Sequence, residues 1–240
     1  MNLRVALRLG RVSNLPTVWT NVLTGVVLAG VSYRVVDVLV LMLAGSSFYV
    51  GGMFLNDAFD AELDRLERPE RPIPSGEVTA RTAFVLGFAM LLGGIGLLIL
   101  LVVVPGGGAS WLSVGAGMIL ALTVLLYDRY HKNNPFSPLL MGICRISLYV
   151  MAALALRPVL TPDLALACAV LFVYLLGLTQ VAKLENQGRL KHAWPVGGLV
   201  AGISLVDALL IGMHGGGVPL LLALAGFALT LLFQRYIPGT

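Results

Sequence analysis

The reading of this chain turns on NDAFDAELDRLERPERPIPSG, residues 56–76. Of the 12 acidic residues in 240, six lie between Asp57 and Glu70. The preceding stretch, FYVGGMFL at 48–55, is apolar apart from its tyrosine. Carboxylates gathered at the edge of an oily run are costly unless something positive opposes them.

The surrounding sequence sets the context. The chain is 58% hydrophobic and 12% charged, against roughly 25% charged in a soluble domain. Mean hydropathy is +0.91. A deficit of charge along the whole length excludes a soluble fold with one anchor and points to a polytopic membrane protein. Eight apolar segments are long enough to be helical spans: 15–33, 36–56, 83–104, 110–127, 137–156, 163–182, 193–213 and 218–236. The ten-residue alternation of an outer-membrane barrel is missing. The expected fold is all-α, a transmembrane bundle of about eight spans forming a single domain over 1–240. Cys144 and Cys168 fall inside apolar segments without metal-type spacing and read as buried thiols.

Basic residues orient the bundle. Of 16 Lys and Arg, thirteen fall on one side of the eight-span arrangement, Arg34 and Arg157 on the other, and Arg145 within a span. That bias predicts both termini in the cytoplasm and accounts for the net charge of +4 without nucleic acid as a partner. The long polar loops then lie on the cytoplasmic side, so binding or chemistry is expected at that mouth. The expected location is the bacterial inner (plasma) membrane.

If the second span continues as a helix, Asp57, Asp60 and Asp64 lie within about 60° of one another at 100° per residue, with Asn56 beside them at the membrane edge. Like charges so placed repel. Mg²⁺ is the natural counter-ion, because it takes hard oxygens, one or two carboxylates per ion, and fills its remaining positions with phosphate and water. Arg68 and Arg71 fall in RPERP, where prolines end the helix and fix a turn. Guanidinium groups beside a metal suit a diphosphate, which they bind bidentately. A solvated helix with ordinary surface acids and ion pairs is the plainer alternative.

The stretch 56–76 resembles the first aspartate-rich motif of the UbiA superfamily of intramembrane prenyltransferases, N-D-x-x-D-x-x-x-D followed by R-x-x-R-P-[IL]-x-S-G. RVSNLPTVWTNVLTG, from Arg11, is similar to the family's entry into its first helix. YDRYHKNNP, from Tyr127, is similar to the end of its fourth, with a tyrosine and a basic residue, Lys132. The resemblance implies helices around a central cavity, commonly nine in the family. It implies an isoprenyl diphosphate held through Mg²⁺ by two aspartate-rich motifs, and alkylation of a lipophilic or aromatic acceptor within the membrane lipid. On this basis Asp57, Asp60 and Asp64 are the expected catalytic metal ligands with Asn56, and Arg68, Arg71, Lys132 and Arg145 the expected diphosphate partners.

The sequence departs from the family where the second motif belongs. YLLGLTQVAKLENQGRLKH, from Tyr174, contains no aspartate. Either Glu185, with Gln180 or Asn186, holds a metal or its waters, or Lys183 replaces the second metal and meets phosphate directly. Arg145, in the first half of the fifth span, is a charge that lipid does not tolerate and is expected to face the interior. Asn21 and Tyr149 are expected to line the substrate cavity, with core hydrogen bonding as the alternative. Asp207 receives no role. The leading function is Mg²⁺-dependent prenyl transfer. An intramembrane terpene cyclase and a non-catalytic isoprenoid or lipid binder are the alternatives, the second favoured by the eroded motif.

Overall fold

A computed structural model of the chain describes residues 1–104, 109–131, 134–186, 196–237 and 239. Its elements are α1 (Leu3–Leu9), α2 (Leu15–Leu28), α3 (Val35–Glu67), α4 (Ala80–Val103), α5 (Trp111–Tyr130), α6 (Ser137–Leu156), α7 (Pro162–Asn186), α8 (Val196–Met213) and α9 (Gly217–Gln234), plus a 3-10 turn at Val12–Asn14. There is no strand among the described residues. The protein is an all-α integral membrane bundle.

Among the described residues, seven helices, α3 to α9, are long and apolar enough to cross a membrane. The first expected span, 15–33, is helical only over the 14 residues of α2. That is about 21 Å, short of a hydrocarbon core of about 30 Å. The reason is its position. α2 packs against α3, α6, α8 and α9, and even its polar Thr17, Thr20, Asn21 and Thr24 are buried. It is surrounded by protein and need not match a lipid thickness. By contrast, α4, α7 and α9 leave most of their apolar surface outside the bundle, as lipid-facing helices do.

Local chemistry sets the ends that matter for the site. α3 runs unbroken for 33 residues, about 50 Å, so its last turns, from Asn56 onward, extend past the apolar layer. It stops at Arg68, the residue before Pro69, where the proline ring disfavours helix and the backbone N–H is lost. The chain then folds back on α3. Ser75 N donates to Arg71 O at 2.9 Å, and Val78 N to Pro72 O at 3.2 Å. Gly76, at φ +81, makes the left-handed step that lets the turn close. Ile73 and Val78 are buried with Val5, Leu9, Phe54, Ala58 and Ala83, so α1 and this loop share a small core on the flank of α3. α4 restarts with Thr79 capping the N–H of Thr82 at 3.1 Å.

The backbones of α2 and α6 approach closely. A Cβ on Gly25 would stand 2.4 Å from the Tyr149 carbonyl oxygen and 2.9 Å from Ala152 Cβ. Gly25→Ala is therefore expected to destabilise the protein by about 1–3 kcal/mol, read as a lower thermal midpoint in detergent. Gly93→Ala, where a Cβ meets nothing within 4 Å, is expected to be neutral or slightly stabilising. Equal behaviour of the two variants would contradict the α2–α6 packing.

Candidate active site

A cavity of about 1040 Å³ opens at the end of the bundle where α3, α5 and α7 finish and α2, α6 and α8 begin. Its lining divides into two zones. Phe48, Leu120, Val124, Leu148, Leu178 and Ile203 supply apolar surface. Arg8, Arg11, Asn56, Asp57, Arg68, Arg71, Asp128, His131, Arg145, Lys183 and Glu185 supply polar and charged groups. On α3, Phe48 lies eight residues before Asn56, about 12 Å deeper along the helix axis. The cavity thus offers an oily pocket behind a charged rim.

The acidic face of α3 is buried, with Asn56, Asp57, Asp60 and Asp64 each 7% exposed or less. Carboxylates so enclosed need partners, and each has a basic one. Arg11 Nη2 lies 3.0 Å from Asp57 Oδ1. Arg71 Nη1 lies 2.7 Å from Asp64 Oδ2 and 3.6 Å from Asp57 Oδ1. His131 Nε2 lies 3.4 Å from Asp60 Oδ2. The Asp60 carboxylate raises the His131 imidazole above its ordinary pKa, against the opposing effect of burial. Arg71 arrives on the folded-back loop. Arg11 arrives through a left-handed backbone, φ 42, between α1 and the 3-10 turn, a conformation unusual for a side chain of this size.

Arg145 reaches the cavity wall from the third turn of α6. Its Nη1 donates to Thr17 Oγ1 at 3.0 Å and Asn21 Oδ1 at 3.1 Å, and its guanidinium lies 5.4 Å from the Tyr49 ring centroid. Behind it, Asn21 Nδ2 donates to Asp207 Oδ2 at 2.9 Å. Asp207 also accepts from Thr20, Thr24 and Tyr149. Asn21 and Tyr149 are therefore members of a buried polar network and not of the cavity lining, the core alternative among the two sequence readings.

The other expected site residues divide as follows. Asp57, Asn56, Arg68, Arg71 and Arg145 line the cavity together. Asp60 and Asp64 are buried beside it, held by His131 and Arg71. Lys183 and Glu185 border the mouth from α7 and are exposed. Gln180 is exposed and lies off the lining, where Leu178, Thr179 and Ala182 form the inner face of α7; it is corrected to an outward position. Lys132 lies outside the described residues. Three residues at the site had no functional reading in the sequence: Arg11, counted only toward topology, and Asp128 and His131, both inside the YDRYH stretch.

No group of three or more His, Cys, Asp or Glu forms a ready metal cage among the described residues. That is compatible with Mg²⁺, which takes few carboxylates and completes its octahedron with phosphate and water. The donor set is hard oxygen throughout. One of its buried atoms, Asp128 Oδ2, has no hydrogen-bond partner among the described residues. The residues present fit the ion.

Arg71 holds two carboxylates at once. Arg71→Met is expected to lower stability by on the order of 3 kcal/mol, since it strands buried charge. Asp64→Asn in the same background is expected to recover part of that loss. A double-mutant cycle on thermal midpoints measures this, and strict additivity would contradict the pairing.

The sequence matches the UbiA prenyltransferase family over residues 17–238. A digeranylgeranylglyceryl phosphate synthase of Methanoregula boonei is 35% identical over 102 residues, 42% of this chain. The matched stretch spans 34% of that relative's length. Among solved structures, one from work on digeranylgeranylglyceryl phosphate synthase in membranes superposes with TM-score 0.64 at 18% identity, covering 98% of this chain and 88% of that one. A UbiA homologue of Archaeoglobus fulgidus, bound to DMAPP and Mg²⁺, gives TM-score 0.61 at 14% identity, covering 96% and 86%.

Proposed function

Since the chain belongs to the UbiA prenyltransferase family, we propose that it transfers a prenyl group from an isoprenyl diphosphate to a lipophilic acceptor inside the membrane, with Mg²⁺ as cofactor. The observation that carries this reading is the two-zone cavity, a charged rim of buried acids and guanidinium groups above an apolar pocket. A prenyl diphosphate has the same division. The DMAPP and Mg²⁺ held by the A. fulgidus homologue support it.

In this account Asp57, with Asn56, Asp60 and Asp64 behind it, holds the metal. Bound Mg²⁺ supplies positive charge that offsets the diphosphate and stabilises it as a leaving group. Arg11, Arg68, Arg71 and Arg145 lie on the lining where phosphate oxygens would sit, and Lys183 meets them from the exposed edge of α7. When the allylic C–O bond breaks, its electron pair leaves with the diphosphate, and these cations stabilise the charge. Phe48, Leu120, Val124 and Leu148 keep water from the carbocation. The acceptor then forms the new bond to the allylic carbon and loses a proton. The relative's name makes a glyceryl phosphate lipid a class of acceptor to test beside aromatic rings.

The basic rim and the thirteen-to-two bias of Lys and Arg support a mouth facing the cytoplasm. The bacterial inner membrane is the proposed location, and residues 1–240 act as one domain. A non-catalytic isoprenoid binder is a second reading, favoured by the exposed position of Lys183 and Glu185 where the family has an acidic motif.

The test uses purified protein in detergent with Mg²⁺ and dimethylallyl, geranyl or geranylgeranyl diphosphate. Diphosphate release that requires an added acceptor is the expected result. Release without acceptor, together with a cyclised hydrocarbon, would establish a cyclase, and saturable binding without release a carrier. Asp57→Asn is expected to lower the rate by about 100-fold or more and, because it leaves Arg11 without its carboxylate partner, to lower the thermal midpoint as well. Unchanged turnover in that variant would remove the metal assignment.

A further inference from the structure

Asp128 stands in the last turn of α5, outside both aspartate-rich motifs that the family resemblance implies. Its side chain is 3% exposed and lines the cavity. Oδ1 accepts a hydrogen bond from Asn56 Nδ2 at 3.2 Å. Oδ2 is buried and has no hydrogen-bond partner among the described residues. Asp57 and Asp64 are different, since each is held directly by an arginine. An enclosed carboxylate oxygen without a donor is costly, and such an orphan calls for a water, an ion or a ligand.

The opposite side of the cavity sharpens the point. The family resemblance calls for a second acidic motif on the helix corresponding to α7. There this chain has Lys183 and Glu185, both exposed at the rim. Lys183 would repel a cation. The buried acids that line the cavity are Asp57 on α3 and Asp128 on α5, with Asn56 between them by its bond to Asp128.

We propose that Asp128 is a Mg²⁺ ligand of the diphosphate site, so that the second carboxylate wall of this protein stands on α5 and not on α7. Mg²⁺ needs one or two carboxylate oxygens, with phosphate and water around the rest of its shell. Asp128 Oδ2 supplies one such oxygen, with no hydrogen bond to break first among the described residues. The assignment rests on the reading of the cavity as a magnesium diphosphate site, and its test separates the two.

The full chain in detergent is titrated with Mn²⁺ in the presence of inorganic diphosphate, and bound metal is followed by electron paramagnetic resonance. Asp128→Asn keeps size and hydrogen-bonding capacity but is a poor metal ligand. It is expected to raise the half-saturating Mn²⁺ about tenfold or more, whereas Glu185→Gln is expected to change it less than twofold. Thermal midpoints give an independent readout. In EDTA, Asp128→Asn should melt at or above the wild type, because a buried carboxylate with one oxygen lacking a donor among the described residues is gone, and the rise caused by Mn²⁺ should shrink. A lower midpoint in EDTA with unchanged Mn²⁺ affinity would show a structural acid and overturn the proposal. So would a loss in Glu185→Gln as large as that in Asp128→Asn, which would put the wall on α7. If Asp128→Asn does not fold, Asp128→Ser takes its place with the same expected shift. Asp57→Asn distinguishes the two levels: if it weakens Mn²⁺ and Asp128→Asn does not, the diphosphate site stands and Asp128 leaves it. If neither does, the magnesium diphosphate reading itself falls.

Discussion

Arg11 and Arg71 neutralise carboxylates that α3 holds away from water, and much of the local structure follows from that pairing. Asp57 and Asp64 are buried within a few ångströms of these guanidinium groups. Without them, adjacent acids on one helical face would repel in a medium of low dielectric. The requirement explains why the chain folds back after Arg68 instead of running away from the membrane, and why α1 packs on the same flank. It also explains why Arg11 holds a left-handed backbone: such strain persists where the surroundings over-determine it, as at a functional site. On the proposed function the pairs would also leave the site responsive to its ligand. Phosphate oxygens would compete for arginine and Mg²⁺ for carboxylate, so one ligand would satisfy both halves of each pair.

A second constraint works deeper in the bundle. Arg145 is a buried cation that lipid would not tolerate, and it is held by Thr17 and Asn21 of α2. Asn21 passes the interaction to Asp207, which also gathers Thr20, Thr24 and Tyr149. α2, α6 and α8 are thereby joined by polar contacts as well as by close packing at Gly25. The guanidinium at the cavity wall is positioned by a network that never touches the cavity.

The sequence made the bundle legible because lipid imposes long apolar helices on any spanning chain. It did not show that α2 is short, since hydropathy does not distinguish burial in lipid from burial in protein. The α3 acids were legible for the opposite reason: charge beside an apolar run is conspicuous, and spacings of three and four residues fix a face. Gln180 turned outward because α7 is apolar on both its lipid side and its inner side, so no stripe tells which is which. Asn21 and Tyr149 could be cavity or core by sequence; the partner that decides is Asp207, 186 residues from Asn21 in the chain. Asp128 was masked by its neighbours, since an acid next to Arg129 at the end of a span looks like an ordinary surface pair. Only the fold shows its oxygen facing no donor among the described residues.

The proposed coupling of metal and diphosphate at this rim can be measured by a pair of calorimetric titrations. Purified protein is titrated with geranyl S-thiolodiphosphate, which resists ionisation, once with Mg²⁺ and once with EDTA. The carboxylates at the rim repel a bare diphosphate and attract one that carries a cation. Affinity is therefore expected to be at least about tenfold higher with Mg²⁺. Equal affinity in EDTA would contradict a metal-bridged site and leave the arginines alone to account for binding.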